Sequence, residues 1–410
     1  MLDLDSSGNL TMSFFTKDDE SQEVIFGENI CDSQLGGRAK KLGTHAFLVT
    51  DSGLSGAGHP DKICKILSDS GLRVTLYDRS IENPTDSSAQ TCAEVARRSG
   101  IDLIIGLGGG SSMDTAKGCN FLLTNGGRMV DYWGIGKADK PMLPMVAIPT
   151  TAGTGSECQS FALISDDETH RKMACGDKKA LPCLTILDPV LTLSQPAKVT
   201  ACTGIDALAH ALESAVTNKR NPRSYRHSRI AFQLIQENLP KVFAEPNDLE
   251  ARGKVLLGAS HAGAAIERSM LGAAHSMANP LTADGGIVHG IAVGMVLPAV
   301  MEFNSVDPDA CSTYAELSRI AGLVEESGDD QEGARELILK VRSLLQLAEI
   351  PKTMNACGIN HLDIHNLAKD ASKQWTAGFN PRTLKIPDFE KLYLKLHNEE
   401  SCEISSPQGN

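Results

Sequence analysis

Residues 102–118 read DLIIGLGGGSSMDTAKG, an apolar run that ends in glycines and continues into hydroxyl residues and a helix-forming segment. The pattern predicts a buried strand over 102–108 and a helix over 112–124. The glycine turn between them (residues 108–112) permits a close approach, and its N–H groups and hydroxyls form an anion site that suits a pyrophosphate. A tight structural turn is the alternative, because the motif is neither GxGxxG nor a P-loop.

The first half of the chain alternates β-rich runs with helix-like segments on either side of this turn. Further strands are predicted over 45–51, 73–78 and 142–148, and helices over 59–70 and 88–99. This alternation predicts a parallel sheet with helices on its faces. Beyond Asp188 helical periodicity dominates, with helices predicted over 197–217, 224–243, 248–268 and 333–348. We therefore predict an α/β domain over 1–190, a helical domain over 191–400 and a disordered tail over 401–410.

A second polar segment, PTTAGTGSE at 149–157, follows the predicted strand 142–148 and contains the threonine turn (residues 149–155). Parallel strands end at one edge of a sheet, so both turns are expected to face one dinucleotide cleft. The threonines could instead cap local backbone groups. Asp51 ends an earlier strand, where an acid can bind the adenosine ribose and repel a 2′-phosphate; its alternative role is a helix or turn cap.

Asp206 and His210 lie four residues apart in a predicted helix, so both side chains share one helix face and can reach one metal ion. His275 and His289 are flanked by small residues that leave room for a ligand. One carboxylate and three imidazoles suit a divalent iron or zinc ion. The alternative is that the histidines are separate core or surface groups.

The composition is that of an ordinary globular protein, with 410 residues, 41% hydrophobic and 22% charged, and a net charge of −12. It excludes a largely disordered chain, and the acidic balance argues against nucleic acid as a partner. No apolar run is long enough to cross a membrane, and the first residues lack the pattern of a secretory signal. With 11 scattered cysteines and no CxxC pair, we expect reduced thiols and a cytoplasmic protein.

Four segments together resemble the iron-containing alcohol dehydrogenase family, in the order and spacing of that family. They are GGGSSMDTAKG at 108–118, AIPTTAGTGSE at 147–157, GIDALAHALE at 204–213 and the segment from His275 to Gly290. The resemblance implies an N-terminal Rossmann-like NAD-binding domain and an all-α C-terminal metal-binding domain, an architecture similar to that of dehydroquinate synthase. It also implies the metal ligands, which are Asp206, His210, His275 and His289.

The resemblance further implies the cofactor contacts. Asp51 matches the acid that disfavours NADP in the family, so NAD is the expected cofactor. Lys172 matches a lysine near the nicotinamide ribose, and Asn83 lies in the Asn-Pro-Thr segment of the family. The other implied cofactor-binding residues are Gly109, Gly110, Ser111 and Asp114 after the first strand and Thr150, Thr151 and Thr154 after the second.

One position departs from the family. Many members carry a histidine four residues after the first cleft histidine, where it is thought to move a proton, and here that position holds Asn279. Asparagine donates and accepts hydrogen bonds but does not titrate near neutral pH. We therefore expect either that another group or a water carries the proton, or that the substrate differs.

These expectations combine into one main functional hypothesis. We expect a metal-dependent, NAD-linked alcohol dehydrogenase or aldehyde reductase that transfers hydride between NAD and a small alcohol or diol, using Fe²⁺ or alternatively Zn²⁺. The alternatives are a hydroxyacid–oxoacid transhydrogenase of the same family and a dehydroquinate synthase-like lyase that uses NAD transiently. We expect a small-molecule partner, with neither nucleic acid nor membrane, and a homodimer or higher homo-oligomer.

Overall fold

The structure is a computed structural model that describes residues 3–4, 10–14, 22–169 and 171–398. Contacts divide the described chain into two compact units. The first comprises the residues up to 215 together with 220–269, and the second comprises 216–219 together with the residues from 270 on. The predicted domain bounds at 190 and 400 mark a change in secondary structure and stay a prediction. The predicted disordered tail over 401–410 lies outside the described residues.

The first unit contains two sheets. Its strands are β1 (Asp3–Leu4), β2 (Leu10–Ser13), β3 (Glu23–Phe26), β4 (His45–Val49), β5 (Arg73–Tyr77), β6 (Leu103–Gly108), β7 (Gly134–Ile135), β8 (Met145–Pro149), β9 (Phe161–Ser165), β10 (Lys172–Gly176) and β11 (Leu184–Leu187). The larger sheet has the order β1-β2-β3-β11-β8-β6-β4-β5, and the smaller has the order β7-β10-β9. From β3 to β5 the larger sheet is parallel, which confirms the predicted α/β fold.

The larger sheet is buried on both faces, which explains its nearly continuous apolar strands. Phe47 and Val49 of β4 belong to one core cluster, whereas the alternate residues Ala46 and Leu48 belong to the other. The four strands predicted in the first half are confirmed as β4, β5, β6 and β8. The last of these begins three residues later than predicted, after Pro144, which has no N–H to donate to a ladder.

The helices of the first unit are α1 (Gly36–Ala39), α2 (Ser52–Gly56), α3 (His59–Asp69), α4 (Asp86–Ser99), α5 (Gly110–Asn125), α6 (Ala197–Val216), α7 (Pro222–Ala244) and α8 (Leu249–Ser269). Of these, α3 packs on one face of the larger sheet, and α4 and α5 pack on the other. The predicted helices over 59–70, 88–99 and 112–124 are confirmed as α3, α4 and α5. Those over 197–217, 224–243 and 248–268 are confirmed as α6, α7 and α8.

The second unit is mainly helical, as predicted. Its longer helices are α9 (Ala273–Gly285), α10 (His289–Asn304), α11 (Pro308–Ile320), α12 (Asp330–Leu347), α13 (Ile364–Lys373) and α14 (Ile386–Asn398). The prediction over 333–348 corresponds to α12. Among the described residues, every helix is too short or too polar to cross a lipid bilayer.

Candidate active site

The glycine turn and the threonine turn lie side by side at the carboxyl edge of the larger sheet. Strands β6 and β8 are parallel neighbours, with Gly108 opposite Pro149. The Thr150 N–H donates to the Gly108 carbonyl oxygen at 3.1 Å, which continues the pairing beyond the strands. Two polar turns at this edge provide the ligand cleft that open parallel sheets characteristically offer.

The two turns touch because glycine removes a side chain where they meet. A Cβ atom on Gly110, the first residue of α5, would lie 2.8 Å from the Thr154 Cγ2 atom. Gly109 precedes this helix and has no side chain with which to cap it. The first N–H groups of α5 therefore meet the threonine turn directly, an arrangement suited to an anionic group such as a pyrophosphate.

The threonine turn packs against the backbone of α8. Gly155 has a φ of +63°, which favours glycine, and a Cβ atom there would lie 2.6 Å from the Gly263 Cα atom. Directly after the turn, the Ser156 N–H donates back to Thr154 Oγ1 at 3.3 Å. Thr150 is buried, whereas Thr151 and Thr154 are partly exposed. The two partly exposed threonines are thus the ones open to a ligand at this edge.

Asp51 and Asn83 border the glycine turn. Asp51 Oδ1 accepts from the N–H groups of Gly53 and Leu54 and so caps α2, which was the alternative role. Its other oxygen, Oδ2, accepts from Ser112 Oγ at 3.1 Å. The exposed Asn83 donates its N–H to Ser111 Oγ at 3.3 Å and has a φ of +52°. Asp51 therefore caps a helix with one oxygen and faces the glycine turn with the other.

Asp114 and Lys172 are charged members of the implied cofactor set, and the protein around them shifts the pKa of each. Asp114 is buried and accepts from Ser156 Oγ at 3.0 Å. Burial raises the pKa of Asp114 to about 6, against the opposing charges of Lys117 and Lys172. Although Lys172 is exposed as a residue, the protein around its ammonium group lowers the pKa of that group, and the carboxylates of Asp114 and Asp206 act in the opposite direction.

The candidate metal ligands form one pair in each compact unit. In the first unit, Asp206 Oδ1 and His210 Nε2 are 3.4 Å apart, and both side chains are buried. In the second unit, the rings of His275 in α9 and His289 in α10 have centroids 5.4 Å apart. A buried carboxylate beside a buried imidazole suits a divalent cation, and the donor set of carboxylate and imidazole nitrogen fits Fe²⁺ or Zn²⁺.

A segment of the second unit, the strap (Gln374–Asn380), runs along α9 and was not predicted from the sequence. Asn279 Nδ2 donates to Gln374 Oε1 at 3.1 Å, and the hydroxyls of Ser276 and Thr376 are 2.8 Å apart. At the start of the helix, the Ala273 N–H donates to Asn380 Oδ1 at 3.2 Å. These contacts bracket His275. The available signal was the polar spacing of Ser276 and Asn279 in a helix that is otherwise largely apolar.

Lys117 is another feature whose role the sequence did not reveal. It belongs to the GGGSSMDTAKG motif, yet its side chain is completely buried rather than exposed to a ligand. The available signal was its spacing of three residues from Asp114, which places both charges on one face of α5.

Comparison with known proteins covers nearly the whole chain. The profile of the family described as iron-containing alcohol dehydrogenase matches residues 21–189, and that of the C-terminal domain of the Fe-containing alcohol dehydrogenase family matches residues 200–397. The NAD-dependent methanol dehydrogenase of Bacillus methanolicus is 33% identical over 366 residues, which are 88% of this chain and 94% of that protein. The 1,3-propanediol dehydrogenase of Klebsiella pneumoniae is 34% identical over 364 residues, which are 87% and 92%.

A solved structure agrees with the sequence comparisons. The crystal structure of a 1,3-propanediol oxidoreductase superposes with a TM-score of 0.87 and 31% sequence identity, covering 91% of this chain and 97% of that one. The fold, the sequence motifs and both family profiles indicate the same family. The chain therefore belongs to the iron-containing alcohol dehydrogenase family and is an oxidoreductase that acts on CH–OH groups.

Proposed function

We propose that the chain is a metal-dependent, NAD-linked alcohol dehydrogenase or aldehyde reductase that transfers hydride between NAD and a small alcohol or diol. The observation that carries the proposal is the position of Asp51 and the two turns at one sheet edge, in the same compact unit as the Asp206–His210 pair. Relatives named for methanol and 1,3-propanediol support a small hydroxyl substrate.

The metal is proposed to be Fe²⁺, with Zn²⁺ as a substitute. Asp206, His210, His275 and His289 would hold it, because together they supply one carboxylate and three imidazoles. A bound divalent ion would supply Lewis acidity at the reacting oxygen. Asp206, His210 and His275 are all buried, so their donor atoms are largely shielded from solvent.

The nucleotide is proposed to be NAD rather than NADP. Asp51 presents a carboxylate oxygen beside the glycine turn, where a negative charge would repel a 2′-phosphate. The first N–H groups of α5, with Ser111, would bind the pyrophosphate, and Thr151 and Thr154 would bind on the other side. Asn83 and Asp114 complete the proposed set, and Lys172 would lie near the nicotinamide ribose.

Asn279 would orient substrate rather than exchange a proton. Its amide nitrogen donates to Gln374, which fixes the amide plane one helical turn from His275. Since an amide does not titrate near neutral pH, the proton must reach solvent through a water or another group. This is the feature that sets the chain apart from histidine-bearing members of the family.

The setting of the enzyme is also proposed. We place it in the cytoplasm, because the described cysteines are free thiols and such thiols persist in a reducing compartment. We propose a homodimer or higher homo-oligomer, because the larger sheet ends in short outer strands whose edge could pair with another copy. The domain bounds at 190 and 400 are proposed as well.

The test is an anaerobic assay of the purified chain reloaded with Fe²⁺. We expect NADH formation from one or more alcohols, diols or hydroxyacids of two to six carbons, loss of activity with a chelator, and recovery when metal is returned. His275→Ala should lose bound metal and activity together. His361→Ala, which changes an exposed histidine of the same unit, should retain both.

Two outcomes would contradict the proposal in different ways. An active His275→Ala variant without metal would contradict the metal assignment. Stoichiometric metal with neither NADH formation from any alcohol nor NADH consumption with the matching aldehydes would favour the transhydrogenase or the lyase.

A further inference from the structure

We propose that Lys117 is a positioning residue for the nucleotide. Its ammonium group fixes the position of the threonine turn relative to the start of α5, so that the two turns that would hold NAD keep one spacing. The inference rests on the proposed NAD site but assigns a role to a residue that would not touch the nucleotide itself.

The first observation is the hydrogen bonding of the ammonium group. Lys117 is completely buried, and its Nζ atom donates to the Ser156 carbonyl oxygen at 2.6 Å, to Ser156 Oγ at 2.9 Å and to the Phe161 carbonyl oxygen at 3.0 Å. Three donated bonds use all three protons of an ammonium group, so the geometry fits the charged form. Lys117 therefore connects α5 to both ends of the segment Ser156–Phe161, which directly follows the threonine turn.

The second observation is the set of carboxylates around this charge. Ser156 Oγ accepts from Lys117 and donates to Asp114 Oδ1 at 3.0 Å, so one hydroxyl relays the contact back to α5. Burial lowers the pKa of Lys117. The nearby carboxylates act in the opposite direction; they are those of Asp114, Glu267 and Glu157.

Two of these carboxylates, those of Glu267 and Glu157, link the segment Ser156–Phe161 to α8. Glu267 accepts from the Ser160 N–H at 2.8 Å and from Ser160 Oγ at 2.7 Å. Glu157 accepts from Ser260 Oγ at 2.6 Å. The segment is thus held by Lys117 from α5 and tied to α8 by charge-assisted hydrogen bonds, which are stronger than neutral ones.

This segment contacts Thr154, one of the two partly exposed threonines of the turn. The Ser156 N–H donates to Thr154 Oγ1, and a Cβ atom on Gly110 would approach Thr154 within 2.8 Å. A displacement of Ser156 would therefore move Thr154 relative to the first N–H groups of α5. Lys117 acts on the nucleotide through this spacing. We therefore expect its loss to weaken nucleotide binding more than it weakens binding of the alcohol.

The test measures NADH binding by fluorescence titration of the full chain, with no metal added. Lys117→Met removes the ammonium group and keeps most of the volume; we expect the dissociation constant to rise about 10-fold or more, the equivalent of one to two lost hydrogen bonds. In the metal-loaded enzyme the KM for NAD should rise in proportion, while the KM for alcohol should change less.

Asn120→Leu is the matched control. Asn120 is equally buried on α5, where its side chain donates to the Leu143 carbonyl oxygen at 2.9 Å and accepts from the Leu143 N–H at 3.0 Å. It therefore ties α5 to the segment before β8 rather than to the segment after the threonine turn. We expect this variant to lose stability but to bind NADH within about twofold of the wild type.

Ser156→Ala decides the question if Lys117→Met does not fold. It removes the hydroxyl between Lys117 and Asp114, and we expect about fivefold weaker NADH binding. If the folded Lys117→Met variant binds NADH with wild-type affinity, the inference is overturned. The same holds for wild-type affinity in Ser156→Ala when that variant replaces an unfolded Lys117→Met. NADH binding that is weakened equally in Asn120→Leu would also overturn it. A wild-type chain that does not bind NADH would instead overturn the proposed NAD site itself.

Discussion

Asp51 combines two contacts that a substitution can separate. One oxygen caps α2 through Gly53 and Leu54, and the other faces Ser112 and the glycine turn. A cap needs an acceptor but not a negative charge, since asparagine caps helices about as well as aspartate. The proposed discrimination against NADP needs the charge. The two roles therefore predict different responses to the loss of that charge.

Asp51→Asn should keep the cap and relax the cofactor preference. We expect the ratio of kcat/KM with NADP to kcat/KM with NAD to rise about 10-fold or more, because a 2′-phosphate no longer meets a carboxylate. Asp51→Gly should relax the preference as well, but it should also lose about a few tenths of a kcal/mol of stability with the cap. An unchanged ratio in both variants would contradict the assignment.

For individual residues, helical spacing predicted which side chains share a helix face but not which groups those side chains contact. The four-residue spacing of Asp206 and His210 correctly placed both on one helix face, where their reactive atoms are 3.4 Å apart. Asp114 and Lys117 carried the same kind of signal, yet Asp114 is turned inward to Ser156. The partner comes from a loop 42 residues later, and spacing within one helix contains no information about it.

The strap contacts α9 on both sides of His275, and we expect it to hold that residue in position. Asn380 makes one of these contacts by accepting from the Ala273 N–H, and its amide also pairs reciprocally with Asn304 of α10, at 3.1 and 2.7 Å. The pair is buried, so an unmatched partner would carry a desolvation penalty. The first turn of α9, which holds His275, is therefore anchored by side chains more than 100 residues away.

Asn380→Ala should loosen the metal site without removing a ligand. We expect the free energy of unfolding to fall by roughly 2–4 kcal/mol, because the amide of Asn304 and the N–H of Ala273 lose their partner. Metal should also be released to a chelator several times faster than from the wild type. Asn355→Ala, which removes a longer amide contact to His397, should change stability by less than about 0.5 kcal/mol.

The chelation rate separates a positioning role from a purely structural one. If Asn380→Ala melts at a lower temperature but releases metal at the wild-type rate, the strap stabilises the fold and does not position His275. Sequence analysis could not identify this element, because its three contacts join α9 to a segment that has no periodic pattern of its own. The strands and longer helices were predictable, since each is specified by the local pattern of apolar residues.

At the scale of the whole molecule, each compact unit supplies one pair of candidate metal ligands, and the first unit also supplies the nucleotide turns. The parallel sheet, the helical second half and the two turns at one edge all follow from local patterns and from strand direction. The bounds of the compact units do not, because α7 and α8 belong to the unit that contains the sheet although their sequence is typical of the helical half. Packing partners, unlike periodicity, depend on distant residues.

The most direct test of the proposed reaction is deuterium transfer. The substrate is a primary alcohol that the enzyme accepts, deuterated at its hydroxyl-bearing carbon. It is incubated with NAD and Fe²⁺-loaded enzyme, and the mass of the reduced nucleotide is measured by mass spectrometry. We predict NADH that carries one deuterium, with none when the metal has been removed by a chelator. Deuterium that appears in a second added substrate without any free labelled NADH, or NADH that carries no deuterium, would contradict the account.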